Sequence, residues 1–467
     1  MQQQEAAGQA PRTSLHGHWS SRLAFILAVT GSAVGLGNIW KFPYLAGQNG
    51  GGAFVLVYLL CVFVIGMPVM MSEILIGRRG RRNPVATMAL LGEEEGHSRR
   101  WQWVGAMAVV TGLLILSYYS VVAGWTLAYV QKSMSGVFVG ASPAQVSAVF
   151  ESFTGSWAQV GIAHTLFMAV TIFVVARGVE RGLEQAVKFM VPALILLMLI
   201  LLGYSINTGS FGLGFKFMFS PNFAALSWDG VLAAMGQAFF TLSLGMGAMM
   251  AYGAYLPEET SITSTSAVVI LADTAIAILA GLVIFPLVFA NGLNPSEGPG
   301  LVFDTLPLAF GQMRGGVFFA TIFFVLLAFA AWTSALGLME PAVAWLVEHS
   351  NRTRAQAAVM VGGPGLVCRL RYRPVVQCVV GIQVVARHYL RQSRLHNQQC
   401  DVAARRTVNH HFCSLGYVPE LQRRRTGRRR DDLQIVALSR PLCGAGGDRV
   451  HLPARCWRVG LMAGRQS

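Results

Sequence analysis

The sequence predicts an all-α, polytopic membrane protein, and three observations carry that prediction. Of 467 residues, 54% are hydrophobic and only 12% charged, about half the charged share of an ordinary soluble domain. The apolar residues fall in runs. Residues 54–76 hold one charge, Glu73, while 104–130 and 231–256 hold none. A bilayer core needs about 20 apolar helical residues, and only helices or closed barrels satisfy the backbone there. Runs this long exclude barrel strands. The first twenty residues are polar, so no cleavable leader is expected and the first span should act as its own insertion signal.

Eight spans are read at about 23–45, 54–76, 103–131, 160–176, 187–206, 231–256, 267–290 and 317–347. Longer connections occupy 132–159, 207–230 and the Gly- and Pro-rich stretch 291–316. Arg78, Arg79, Arg81, Arg82, Arg99 and Arg100 lie between spans two and three; Arg177, Arg181 and Lys188 lie between four and five; Arg352 and Arg354 follow span eight. The basic loops place the N-terminus and these connections in the cytoplasm. The inner membrane of a bacterium is the expected location.

Two spans carry internal breaks. Span one reads Gly31-Ser32-Ala33-Val34-Gly35-Leu36-Gly37-Asn38, and span six reads Thr241-Leu242-Ser243-Leu244-Gly245-Met246-Gly247. Glycine costs a helix about 1 kcal/mol relative to Ala, so these stretches unwind cheaply. Each alone reads more simply as close packing of small residues. Together they sit at corresponding positions of two five-span halves, and paired interrupted helices mark a midplane binding site.

The net charge of +15 is uneven. Residues 364–467 hold 19 Arg, no Lys and 5 acids, whereas the remainder is nearly neutral. Six of the seven Cys also lie there; Cys61 is the exception. The basic balance therefore belongs to the tail, and nucleic acid is not an expected partner.

From Trp19 to Arg22, and through Gly31–Pro43, the chain resembles the neurotransmitter:sodium symporter family, in its bacterial amino-acid branch with the leucine-transporter fold. The segments 49–54, Tyr118-Tyr119 with Trp125, Gln237–Gly245, and Trp332-Thr333-Ser334 before Pro341 agree in the same order. The resemblance covers about residues 15–363. It implies a sodium-coupled symporter, not an enzyme, and the spans show no nucleophile–base pair or metal cluster. It implies two sodium sites. One takes the carbonyl of Ala33, Asn38, Thr241 and a span-seven residue, Asp273 or, one position off, Ala272. The other takes the carbonyls of Gly31, Val34 and Ala330 with the hydroxyls of Thr333 and Ser334. Without the resemblance, those two hydroxyls read as bonding back to their own helix.

The resemblance also implies a substrate site. Amides near Leu36 and Gly37 and the Tyr119 hydroxyl suit a carboxylate, and Ser243 suits an ammonium. Ala33, Ile115, Phe240, Met246 and Leu338 form the pocket, with Ser334 at its edge. Amine transporters of the family carry Asp where Gly35 stands, so the substrate should bring its own carboxylate. A small apolar or aromatic amino acid is expected. Asp273 should replace the charge that chloride gives animal relatives, removing any chloride requirement. Glu73 should hydrogen-bond the unwound part of span six, with Glu340 doing the same nearer the cytoplasm, and His164 is a packing residue. Gly182 and Pro192 have the spacing tied to unwinding that opens the inner sodium site, although a helix-start proline explains Pro192 nearly as well. Lys41 replaces the Arg of the outer gate, which pairs with an acid of span ten. The inner-gate Arg is absent at His16, and Arg12 is its substitute.

The expected organisation is a cytoplasmic segment 1–22, a first five-helix half 23–206, an incomplete second half 207–363 and a non-family tail 364–467. The tail holds no run long enough to cross a membrane; Arg without Lys fits a shifted reading frame better than a basic lipid-binding tail or a metal site at Cys400, His410, His411 and Cys413. On that reading the chain as written is expected not to transport. It would be a truncated product, or a membrane binding or sensor protein. The sequence leaves the oligomeric state open.

Overall fold

A computed structural model describes residues 17–295 and 300–363. Ser21 caps the first helix, α1 (Arg22–Ala33), by accepting the Ala24 N–H. The chain leaves the helix at residues 34 and 35, turns helical again at Leu36, makes one widened turn at Gly37–Lys41 and continues as α2 (Phe42–Gln48), bent 46° from α1. Span two joins α3 (Gly52–Cys61) to α4 (Met67–Gly80) through a widened turn. Arg81 ends it in the left-handed region, φ 55°, and donates to the carbonyls of Ala254 and Leu256. Next come α5 (Pro84–Glu94), span three as α6 (Gln102–Met134), α7 (Pro143–Gly155), span four as α8 (Trp157–Ala176) and span five as α9 (Gln185–Ile206).

The second set begins with α10 (Phe211–Phe219). Span six is α11 (Trp228–Thr241) and α12 (Ala248–Ala254), separated by six non-helical residues, 242–247. Then follow α13 (Ile262–Ala290), α14 (Leu306–Gly311), α15 (Gly316–His349) and α16 (Arg354–Gly362). Among the described residues six helices are long and apolar enough to cross a membrane, seven with the bent pair; span six is the eighth.

Helices α5, α7, α10 and α14 lie in stretches expected to be loops. They are short and sit outside the long apolar runs, so hydropathy alone passes over them. Their stop and start signals are local: Ser142 and Gln145 form a reciprocal capping box ahead of α7. Pro192 lies inside α9, beyond a widened turn at Val179–Glu184, so it is not a helix-start proline. Gly182 serves close packing, since a Cβ there would lie 2.1 Å from the Val174 carbonyl oxygen.

Span one is enclosed: α1 packs against α9, α13 and α15, and α15 runs along α6. Its Phe25, Ala28, Val29 and Ala33 are buried. The span-one break is thereby held inside protein, and all of 242–247 but Gly245 is buried as well, the condition for non-helical backbone at membrane depth. The tail readings, including the shifted frame, the basic segment and the Cys/His site, lie outside the described residues, as do Arg12 and His16.

Candidate functional site

The end of α1 leaves backbone oxygens without helical partners. Val34 is extended, with ψ 108°. Its carbonyl accepts the hydroxyls of Thr333 and Ser334, each at 3.3 Å. Thr333 also bonds back to Ala330 O at 3.0 Å and Phe329 O at 3.2 Å. The span-eight hydroxyl therefore faces both its own helix and the break. A Cβ on Gly31 would lie 3.3 Å from Thr333 Cβ and 3.0 Å from Val191 Cγ2. Gly31, Val34, Ala330, Thr333 and Ser334 thus converge between spans one, five and eight, with neutral oxygens alone.

A second cluster forms on the other side of the break. Asn38 Oδ1 accepts the Gly35 N–H at 3.0 Å, while its Nδ2 donates to Asp273 Oδ1 at 2.8 Å. Thr241 Oγ1 donates toward both carboxylate oxygens of Asp273 at 3.2 Å. Asp273 is fully buried, whereas Ala272 is only half-buried, so of the two alternatives it is the Asp273 carboxylate that meets Asn38 and Thr241. Residues from spans one, six and seven, 235 positions apart at the extreme, meet within hydrogen-bond distance.

Between the clusters lies a small cavity. Ala33, Gly37, Ile115, Tyr119, Phe240, Ser243, Met246, Ser334 and Leu338 line it, so of the expected substrate residues only Leu36 is absent from its wall. The Leu36 amide is not free as expected: it donates to the Tyr119 hydroxyl oxygen at 3.3 Å. Ser243 donates to Ser32 O at 3.0 Å. Ser32, unassigned in the sequence, also lines the cavity, as does Gly35, the position of the missing acid. A Cβ at Gly35 would sit 2.2 Å from Ser334 Oγ and 2.8 Å from the Tyr119 hydroxyl, so nothing larger than glycine fits as the chain stands.

The span-six break is held from span two. Glu73 Oε1 accepts the Gly245 N–H at 2.7 Å. Gly245 and Gly247 take φ of 73° and 76°, but Ser243 takes φ 53° without being glycine, a conformation costing of order 1–3 kcal/mol. Gln237 adds a tie that its motif did not reveal, donating to Gly37 O at 2.7 Å. Lys41 Nζ sits 4.1 Å over the Phe240 ring, so the gate position and the cavity share one aromatic wall. The span-ten acid expected to pair with Lys41 is outside the described residues.

Glu340 departs from expectation. It meets Tyr255, which donates at 2.8 Å just past α12, and Arg354, rather than the break itself. Nothing near Glu340 in sequence marks Arg354 as its partner. His164 is buried and 3.0 Å from Ser120 Oγ, as a packing histidine should be. At the start of span one, Trp19 donates its indole N–H to Tyr252 O, and the Glu184 carboxylate accepts from the Ser20 hydroxyl and from Lys188.

The Sodium:neurotransmitter symporter family matches this chain over residues 16–145 and 145–373. The uncharacterized sodium-dependent transporter YhdH of Bacillus subtilis is 39% identical over 358 residues, which is 76% of this chain and 78% of that protein. The sodium-dependent neutral amino acid transporter B(0)AT2 of Mus musculus is 29% identical over 298 residues, 57% of this chain and 40% of its own length. Among solved structures, MhsT in complex with L-phenylalanine is similar at 43% identity, with a TM-score of 0.70 over 76% of this chain and 79% of MhsT.

Proposed function

The chain belongs to the sodium:neurotransmitter symporter family, a family of secondary transporters and not enzymes, and shares the leucine-transporter fold; from that premise we propose that it couples sodium entry to uptake of a small apolar or aromatic amino acid. The carrying observation is the cavity bounded by Tyr119, Phe240, Met246 and Leu338, with a polar cluster on either side of the span-one break. Tyr119 would take the substrate carboxylate, and Ser243 the ammonium. The apolar wall of Ile115, Phe240, Met246 and Leu338 would take the side chain. Gly35 leaves no acid to hold an amine that lacks a carboxylate. That MhsT is seen with L-phenylalanine, and that B(0)AT2 is named for neutral amino acids, supports the same class.

Two sodium sites fit this reading. The neutral one uses carbonyls of Gly31, Val34 and Ala330 with Thr333 and Ser334. The charged one uses Ala33, Asn38, Thr241 and Asp273. A dehydrated cation gains from a full negative charge beside it, and the Asp273 carboxylate supplies that charge without chloride. The inner membrane, a cytoplasmic N-terminus and the division at residue 206 belong to the same proposal, supported by the basic residues that gather at alternate span ends.

The alignment with YhdH leaves about a fifth of that relative unmatched, so binding and accumulation need separate assays. The test uses the full chain in proteoliposomes with an inward sodium gradient. Labelled phenylalanine and leucine should bind only with sodium, equally well in chloride or gluconate, and should accumulate unless the shifted-frame reading of the tail, on which the chain as written does not transport, holds. Sodium-dependent binding without accumulation would mark a binding protein or a product unable to transport. Preference for an amine lacking a carboxylate would overturn the substrate reading.

A further inference from the structure

A second cavity lies away from the small one between the two breaks, at the end of α6 and the beginning of α8, under α7. Its volume is about 460 Å³, in the range of ligand sites. Leu127, Ile162 and Leu166 form its apolar wall, and Gln131, Lys132 and Gln159 its polar rim. Ile162 is 70% and Leu166 56% exposed, so the wall opens toward the apolar surface of α8. The rim falls where both spans end: Lys132 is two residues from the end of α6, and Gln159 two residues into α8 beside the exposed Trp157. Tryptophan and basic side chains at span ends mark headgroup depth.

Lys132 has no carboxylate within ion-pair distance among the described residues. Its ammonium stands 5.6 Å from the centre of the Phe153 ring. That face is therefore already occupied by a cation, and the rim lacks an acceptor of full charge. Helix α16 does not cover the groove. Its Gly362 abuts Ile172 and Met168, and Arg354 reaches Val175 O. At 3.6 residues per turn, those positions lie on the face of α8 opposite Gln159, Ile162 and Leu166.

We propose that this groove binds an anionic phospholipid from the leaflet opposite the Arg99–Arg100 end. One acyl chain lies along Leu127, Ile162 and Leu166, and Lys132 holds the phosphate with help from Gln131 and Gln159. An apolar slot ending in an unpaired cation at headgroup depth matches that amphiphile in both shape and charge.

The test is thermal unfolding of the purified full chain in detergent, with phosphatidylglycerol or phosphatidylcholine added. Phosphatidylglycerol should raise Tm by about 4 °C or more beyond phosphatidylcholine. Lys132→Gln should abolish that difference, while Lys216→Gln, which removes a cation from the exposed face of α10, should keep it. Leu166→Trp, which fills the slot, should weaken the effect of both lipids. Equal stabilisation by the two lipids overturns the proposal, as does a difference that survives Lys132→Gln or is lost equally in Lys216→Gln. Efficient disulfide dimers of Gln159→Cys in bilayers would also overturn it, assigning the groove to a second copy of the chain.

Discussion

Span one loses its helix over two residues, 34 and 35, and span six over six, 242–247. The exposed groups differ as much as the lengths. In span one the notable orphan is a carbonyl, Val34 O, met by two neutral hydroxyls at 3.3 Å. In span six it is an amide, Gly245 N–H, met by a carboxylate at 2.7 Å. A bond of 2.7 Å lies at the short end of the N–H···O range, whereas 3.3 Å lies beyond the usual O–H···O range. The span-six break is therefore braced, while the span-one break is held by long bonds that a cation can replace. Unwinding alone does not make a site; the strength of what meets the freed groups decides whether a ligand can compete.

Asp273 gives the largest expected effect, because it sets the charged cluster apart from the neutral one. Two unit charges 4 Å apart interact by about 4 kcal/mol at an effective dielectric of 20. Asp273→Asn keeps the shape and the acceptor for Asn38 but removes the charge. Sodium affinity should fall by about 2–4 kcal/mol on this scale, read from the sodium dependence of substrate binding. Added chloride should recover part of the loss. Unchanged sodium dependence would remove Asp273 from the ion site.

Glu73 comes next and bears on the brace. Glu73→Ala leaves the Gly245 amide without its acceptor beside the strained Ser243, at a cost of about 1–3 kcal/mol. Glu73→Gln retains an acceptor oxygen and should lose less. Thermal unfolding of both variants checks the order. If Ala and Gln behave alike, the short bond does not stabilise the break.

Much of this was legible because glycine and asparagine carry backbone meaning. The clusters in 31–38 and 241–247 announced both breaks, whereas it was the family resemblance that drew Asn38, Thr241 and a span-seven residue to one site from three distant spans. Other features were beyond a linear reading. Whether the Leu36 amide is free depends on where Tyr119 arrives from span three, and Arg354 becomes the partner of Glu340 only once α16 turns back on α15. Pro192 reads in the sequence nearly as well as a helix-start proline, and only the start of α9 at Gln185 puts it inside a helix. Helices α5, α7, α10 and α14 were missed because length and hydropathy are the signals of a span, not of a short connecting helix.

The smallest expected effect belongs to Thr333, and it tests the neutral half of the comparison. Its hydroxyl divides itself among Val34 O, Ala330 O and Phe329 O, the longest of these being the bond to Val34. If that hydroxyl ligates sodium, its oxygen lone pairs turn toward the ion while its proton stays on its own helix. Thr333→Ala then removes one neutral ligand among several and should weaken sodium affinity by about 1 kcal/mol, within the span measured for single hydrogen-bonding groups. Thr333→Ser keeps the oxygen and should stay near the parent; Thr333→Val keeps the shape and should follow Ala. Folding should hardly change, because the bonds lost on the helix side are local back-bonds that contribute little. Should Ser, Ala and Val all leave sodium dependence untouched while shifting Tm, the hydroxyl serves only its own helix, and span one has a break without a second ion.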